Sequence, residues 1–297
     1  MKQGDRRRIC FEVVAPPKSW KANAVQHWTT AVARILTAHG ISYLNLPEVV
    51  NETRPGKRTV PYFPKMDHVR FGELVREQQP GLTLIPHKRC GLIAKDSFAR
   101  WVQEVHDKYI RHIVVVGGES HKITYKGFSV TEAAAFIKQS VPDIQVGGIT
   151  IFTRKDEAER IVTKVKSGIT FFLSQLIFET APMKQVLTNL KRQCEDEELE
   201  FPDVYVSLAP AARARDIEFM QWLGVEFSPP VLSYLVNKDE KRLEERAFKV
   251  LERLLDDLFN FMDKENFDLG FNIGHVVYAN LELSERLVEL VTSRINT

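Results

Sequence analysis

The feature that most constrains this chain is an alternation of short, largely apolar, β-rich runs with amphipathic stretches. The β-rich runs fall at residues 9–15, 43–49, 83–90, 112–119, 145–152, 170–178, 204–208 and 269–277. Stretches with helical spacing fill residues 20–39, 94–109, 131–139, 156–167, 183–197, 214–223 and 283–294. Before the last β run, Leu243, Ala247, Val250, Leu251, Leu254, Leu258, Phe261 and Met262 recur three or four residues apart, which predicts a long helix with one buried stripe. Runs such as Ile113 to Val116 are apolar without interruption, as strands covered on both faces must be. Eight βα units of this kind predict an α/β fold, a parallel sheet closed into a (β/α)8 or TIM barrel.

A doubly wound open sheet is the competing architecture, but no GxGxxG follows a strand, and Gly117-Gly118 and Gly147-Gly148 are only paired glycines. No linker or shift of composition divides the chain, so residues 1–297 are expected to form a single barrel domain with a short basic N-terminal tail. The longest irregular stretch, residues 51–67 with Pro55, Gly56, Pro61 and Pro64, is placed to cover the barrel mouth.

Composition removes several classes of partner. With 44% apolar and 27% charged residues the chain can bury a sizeable core, which excludes disordered and low-complexity readings. Forty-one basic against 39 acidic side chains leave +2, too little for a nucleic-acid footprint, and Arg6-Arg7-Arg8 reads as a solvated tail. No apolar run reaches the roughly 18 residues that span a membrane. The apolar stretch behind the basic tail is short and broken by Glu12, so no secretory signal is expected and the protein is read as cytoplasmic. Cys10, Cys90 and Cys194 fit neither a disulfide framework nor a CxxC metal site.

In such barrels chemistry sits at the C-terminal ends of the strands. Walking those ends gives Glu12, Glu48, His87, Glu119, Gln175, Ser207 and His275, which could converge on one pocket. Each has a plainer role available, as a hydrogen-bonded layer residue or a solvated loop residue. Glu12 is the sharpest, because a carboxylate between Phe11, Val13 and Val14 is partly desolvated and its pKa rises toward the range of a general acid; a structural ion pair is the alternative. No metal site is expected, since His87 and His275 are not part of an HxH or HExxH pattern. No GxSxG elbow or Walker-type loop is present either.

Phe11-Glu12-Val13-Val14-Ala15-Pro16-Pro17-Lys18 resembles the first-strand signature of the methylenetetrahydrofolate reductases. Further matches follow in family order: Pro86-His87, Ile110 to Val114 leading to Gly118-Glu119, Lys164-Val165 with Gly168, Ser174-Gln175 with Phe178, and Ala209-Pro210. The resemblance runs from about residue 9 to 294. It implies a (β/α)8 barrel that carries FAD, takes hydride from NADH or NADPH and passes it to 5,10-methylenetetrahydrofolate. Carried over residue by residue, it implies Glu12 as the general acid and Gln175 as a hydrogen-bonding partner of folate. It places His87, Gly117 and Gly118 along the flavin. Glu119, in place of the family's aspartate, falls near flavin and substrate, and Lys155 falls where the family has a histidine.

The chain also departs from the pattern. Gly117-Gly118-Glu119 stands where the family has Arg-Gly-Asp, Pro47 where it has a threonine, and Ser129 where it has a tyrosine. Residues are missing between Ala158 and Lys164, and the loop after Pro210 holds Arg213 and Arg215 but no aromatic residue. Three readings therefore stay open: a divergent flavin-dependent reductase, a folate enzyme working without bound flavin, and a noncatalytic folate-binding barrel. The partner in each is a small-molecule folate, with no nucleic acid or membrane. Homo-oligomerisation or membership of a larger complex is open in all three.

Overall fold

The structure, a computed structural model, describes residues 9–52, 54–118, 126–236 and 240–296. Eight strands, β1 (Ile9–Glu12), β2 (Tyr43–Leu46), β3 (Thr83–Arg89), β4 (His112–Val116), β5 (Gln145–Thr150), β6 (Ile169–Ser174), β7 (Asp203–Leu208) and β8 (Leu269–Gly274), close in chain order into a barrel. Every neighbouring pair is parallel, including β8 against β1. Helices α1 (Ala22–Ala38), α2 (His68–Gln78), α3 (Lys95–Asp107), α4 (Val130–Ser140), α5 (Glu157–Lys166) and α6 (Ala181–Asp196) follow β1 to β6 in turn. After β7 come α7 (Ala214–Trp222), α8 (Pro229–Leu235) and the long α9 (Leu243–Glu265), and α10 (Leu281–Ile295) follows β8. The predicted TIM barrel is the observed fold.

Most strands end before the apolar runs that announced them. Val13 and Ala15, or Ile177 and Phe178, are buried beyond their strands, where the chain has left the ladder and packs against helices. Two helices escaped the periodicity. In α2 the stripe of Val69, Phe71 and Val75 is interrupted by Gly72, yet a Cβ there would stand 2.5 Å from a Leu46 methyl. The residue that weakens the helical signal is the one that lets the helix sit close to β2. α8 opens on Pro229-Pro230, which suit a helix start but leave no helical periodicity to read in so short a segment.

Two cores follow from the strand alternation. Outward residues such as Phe11, Leu44, Leu84, Ile113 and Phe271 pack under the helices. Inward residues Cys10, Ile85, Val114, Phe171, Leu173 and Tyr205 fill the barrel itself. A chain of ring contacts, Tyr43 to His112 to Phe171 to Tyr205, crosses the interior. Phe171 is admitted because Gly147 lacks a side chain: a Cβ there would lie 2.3 Å from its ring. The paired glycines of β5 thus serve packing at a register shift in the β5–β6 ladder.

A third cluster lies at the mouth, where Ala209, Ala211, Ile217, Met220, Val225 and Leu235 of the α7–α8 insertion meet Phe178, Leu243 and Ala247. The 51–67 segment is tied to it. Arg58 lies over the Trp222 ring at 4.8 Å and the Phe219 ring at 5.5 Å, and Arg54 donates to the carbonyl of Leu223 at 2.9 Å. Its other end is tied to the loop after β1 through Lys18 N to Pro64 O and Met66 N to Pro16 O. The segment therefore runs between the β1 and β7 loops, as a cover of the mouth must. Part of the chain's length resides in the α7–α8 insertion between β7 and α9.

Candidate active site

Glu12 ends β1 with its side chain on the same face as Cys10, into the barrel, and register places Asn45 beside it on β2 and Gly274 beside it on β8. Its Oε2 accepts from Asn45 Nδ2 at 2.7 Å and from Asn272 Nδ2 at 2.9 Å. Burial pushes its pKa up; the two amide hydrogen bonds pull it back without cancelling that. No ion pair joins it to a described residue, so the structural alternative for Glu12 has no partner among them.

The amides belong to a ring of polar groups at the top layer. Asn45 Oδ1 accepts from His87 Nε2 at 2.6 Å, and Asn45 Nδ2 also donates to Asn272 Oδ1 at 3.2 Å. Asn272 Nδ2 donates to Ser207 Oγ at 3.0 Å, and Ser207 N donates to Ser174 Oγ at 2.8 Å. Six strands thus contribute to one layer. His87 is held neutral, its pKa pulled down to about 3 by burial and then by nearby His68. His68 Nε2 in turn donates to the His87 carbonyl at 2.8 Å. Asn45 and Asn272 were not singled out in the sequence, although each is a lone polar residue at an alternating position, in Leu44-Asn45-Leu46 and Phe271-Asn272-Ile273.

The other strand-end residues divide. Glu48 fastens the loop after β2 to β3, accepting from Lys88 Nζ at 2.5 Å and from Arg89 N at 2.7 Å. His275 lies among the rings of Trp28 and Tyr278, and its Nε2 accepts from Val14 N at 3.2 Å. Desolvation lowers its pKa to about 4. Gly117 and Gly118 follow the end of β4, where a Cβ on Gly117 would crowd Val130 at 3.2 Å. Glu119 lies outside the described residues. Among the described residues no three His, Cys, Asp or Glu side chains are placed to share a metal ion, and no helix is long and apolar enough to cross a membrane.

Gln175 follows β6 and lines a cleft of about 190 Å³ with Ile151, Phe152, Phe178, Glu226 and Phe227. Its Oε1 accepts from Leu176 N at 3.0 Å and its Nε2 donates to the Leu223 carbonyl at 3.2 Å, so the cleft is shared by β6 and the α7–α8 insertion. A wider groove of about 740 Å³ between the β5–α5 loop and α6 shares Phe152, Thr153, Pro182 and Glu226 with it. Lys155 lines this groove, not the Glu12 layer; its side chain is 93% exposed, 4.0 Å from Asp156. Beside it Glu157 is buried, accepting from Thr150 Oγ1 at 2.9 Å and Ile151 N at 3.0 Å, which fixes the end of β5. The structure brings Glu12 and His87 together through Asn45, while Gln175 and Lys155 each line one of the two adjoining cavities.

The sequence model of the family described as mycobacterial methylenetetrahydrofolate reductase matches residues 14–292. The chain belongs to this family. Among solved structures, the reductase-family fold seen here is similar to an uncharacterized protein from Clostridium thermocellum, described as binding two copies of 5-methyl-5,6,7,8-tetrahydrofolic acid. That likeness has a TM-score of 0.80 at 18% identity and covers 98% of this chain and 96% of that one. EDTA monooxygenase from Chelativorans sp. BNC1 is more distant, with a TM-score of 0.55 at 10% identity, covering 98% and 94%. No curated protein sequence matches the chain.

Proposed function

We propose that this protein reduces 5,10-methylenetetrahydrofolate to 5-methyltetrahydrofolate with hydride from NADH or NADPH, and that Glu12 is its general acid. The observation that carries the reading is the Glu12 carboxyl: half-buried, unpaired with any described cation and shifted toward its acid form at a barrel mouth. Family membership supplies the reaction class, and the folate ligand of the similarly folded clostridial protein supports the substrate class.

The chemistry needs one proton and one hydride. Glu12 gives its proton to N10 as the bond from N10 to the bridging methylene breaks, and the bonding pair stays on N10. The resulting N5 iminium accepts hydride at its carbon, which becomes the methyl group, while the nicotinamide is oxidised. Solvent then restores the proton on Glu12. Gln175, whose amide both donates and accepts, meets the edge of the pterin in exchange for its present bonds to Leu223 and Leu176.

The resemblance also brings FAD, with His87, Gly117, Gly118, Glu119 and Lys155 as its expected contacts. The described residues among these do not fit one flavin cradle. His87 commits its Nε2 to Asn45, and Lys155 stands in a groove with Asp156, Glu157, Glu159 and Glu226. The cations at the end of β3 are already paired, Lys88 with Glu48 at 2.5 Å and Arg89 with Glu52 at 2.6 Å. The hydride therefore comes from the nicotinamide directly.

The test is anaerobic incubation of the purified protein with methylenetetrahydrofolate and NADH or NADPH, with and without added FAD, following 5-methyltetrahydrofolate and flavin absorbance together. The reading expects product equal to nicotinamide oxidised, without a requirement for FAD. Product only when FAD is added would return the flavin to the mechanism. No product under any condition would leave a noncatalytic folate-binding barrel.

A further inference from the structure

The hydrogen bonds around Glu12 distinguish its two oxygens. Oε2 accepts two amide N–H groups, from Asn45 and Asn272. A carboxyl oxygen offers two lone-pair directions in its plane, so both are filled and an acid proton has no place on Oε2. Oε1 accepts no hydrogen bond among the described residues, and it is the Glu12 atom nearest the point where a Cβ on Gly274 would stand, 3.5 Å away.

The amides are themselves oriented. Both Nδ2 hydrogens of Asn45 are used, on Glu12 and Asn272, and both of Asn272, on Glu12 and Ser207. His87 anchors Asn45 from the Oδ1 side, as Asn272 Oδ1 and Glu12 Oε2 do from the Nδ2 side. With its Nε2–H on Asn45 Oδ1 at 2.6 Å, a turned amide would set N–H against N–H at His87 and carbonyl oxygen against Oε2 at Glu12.

We propose that His87, acting through Asn45, is a positioning residue that keeps the transferable proton of Glu12 on Oε1, the oxygen beside Gly274. The inference rests on Glu12 as proton donor and adds the device that aims it. Few groups compete. On its own strand Glu12 faces the Cys10 thiol, which burial and then Glu12 hold neutral. β2 and β8 present the uncharged Asn45, Asn272 and Gly274, and the neutral His87 reaches Glu12 only through Asn45. A titration of Glu12 therefore reads the state of these amides.

The experiment is an infrared titration of the ligand-free protein, following the protonated carboxyl band assigned to Glu12 by its loss in Glu12→Gln. In His87→Leu, the buried Asn45 Oδ1 loses its donor and the amide its anchor on that side, so its N–H to the charged Oε2 is held less firmly and Glu12 titrates about one pH unit higher. In His87→Gln, whose side-chain amide supplies an N–H near the position of Nε2, the titration stays with the wild type. A His87→Leu protein that titrates like the wild type, or Gln and Leu variants that shift alike, would overturn the proposal. Should His87→Leu not fold, His87→Asn, whose shorter amide cannot reach Asn45, takes its place with the same expectation. The readout needs no folate, so it is independent of whether Glu12→Gln abolishes turnover, the result on which the proton-donor reading itself stands.

Discussion

The two sides of the barrel mouth are built on opposite principles. Around β8, β1, β2 and β3 the side chains of Glu12, Asn45, His87 and Asn272 are tied by hydrogen bonds of 2.6 to 3.2 Å, and Asn45, His87 and Asn272 are buried. Around β5 and β6 two connected cavities of about 190 and 740 Å³ are open, lined by Gln175 and by exposed residues of the α5 and α6 starts. A proton must be delivered along one direction, and a network that uses every amide hydrogen of Asn45 and Asn272 has one arrangement. A large, flexible ligand such as a folate needs room and a few exchangeable contacts, as Gln175 has with Leu223. The comparison separates residues expected to govern chemistry from those expected to govern affinity.

The strongest way to break the tight side is acid. His87 and His275 are held neutral, with pKa values near 3 and 4, whereas an unfolded imidazole protonates near 6.5. Between those values the unfolded chain binds more protons than the folded one, so stability falls as pH is lowered through 6.5 toward 4. From about pH 7 to about pH 5 the two histidines together remove about 4 kcal/mol, readable as a fall in the urea midpoint. An unchanged midpoint over that range would show that neither imidazole is held neutral.

A smaller effect comes from Gly274→Ala. The added methyl stands at ordinary contact distance, 3.5 Å from Glu12 Oε1, so the barrel accepts it while the space beside the acid is filled. Turnover should fall by roughly thirtyfold, about 2 kcal/mol in the barrier, with the thermal midpoint nearly unchanged. Gln175→Glu acts on the open side. It should weaken folate binding by about tenfold in calorimetry, roughly 1.4 kcal/mol, and leave the infrared titration of Glu12 where it was. The smallest effect is expected at Arg58, sandwiched between Tyr62, Phe219 and Trp222. Arg58→Ala should cost about 1 kcal/mol of stability and loosen the 51–67 segment, seen as faster amide exchange there.

The barrel was legible because strands covered on both faces and helices covered on one leave different periods, which survive in eight successive units. Glu12 was legible as a charge within an apolar run. Asn45 and Asn272 were not, because a single asparagine in a strand has many uses, and only register shows that these two meet on one carboxylate oxygen. α2 was hidden by Gly72, which its packing requires, and α8 by its opening prolines. Lys155 matched a family position by alignment, but the turn into α5 sends its side chain to solvent beside Asp156.

The central claim is that Glu12 supplies the proton, and Glu12→Gln tests it most directly. A glutamine can accept the same two amide hydrogen bonds and has no acidic proton to give. Folate affinity by calorimetry should stay within a factor of a few, while single-turnover formation of 5-methyltetrahydrofolate falls by about a hundredfold to ten-thousandfold, the usual worth of a general acid. A Glu12→Gln protein that binds folate normally and still turns it over at the wild-type rate would contradict the account.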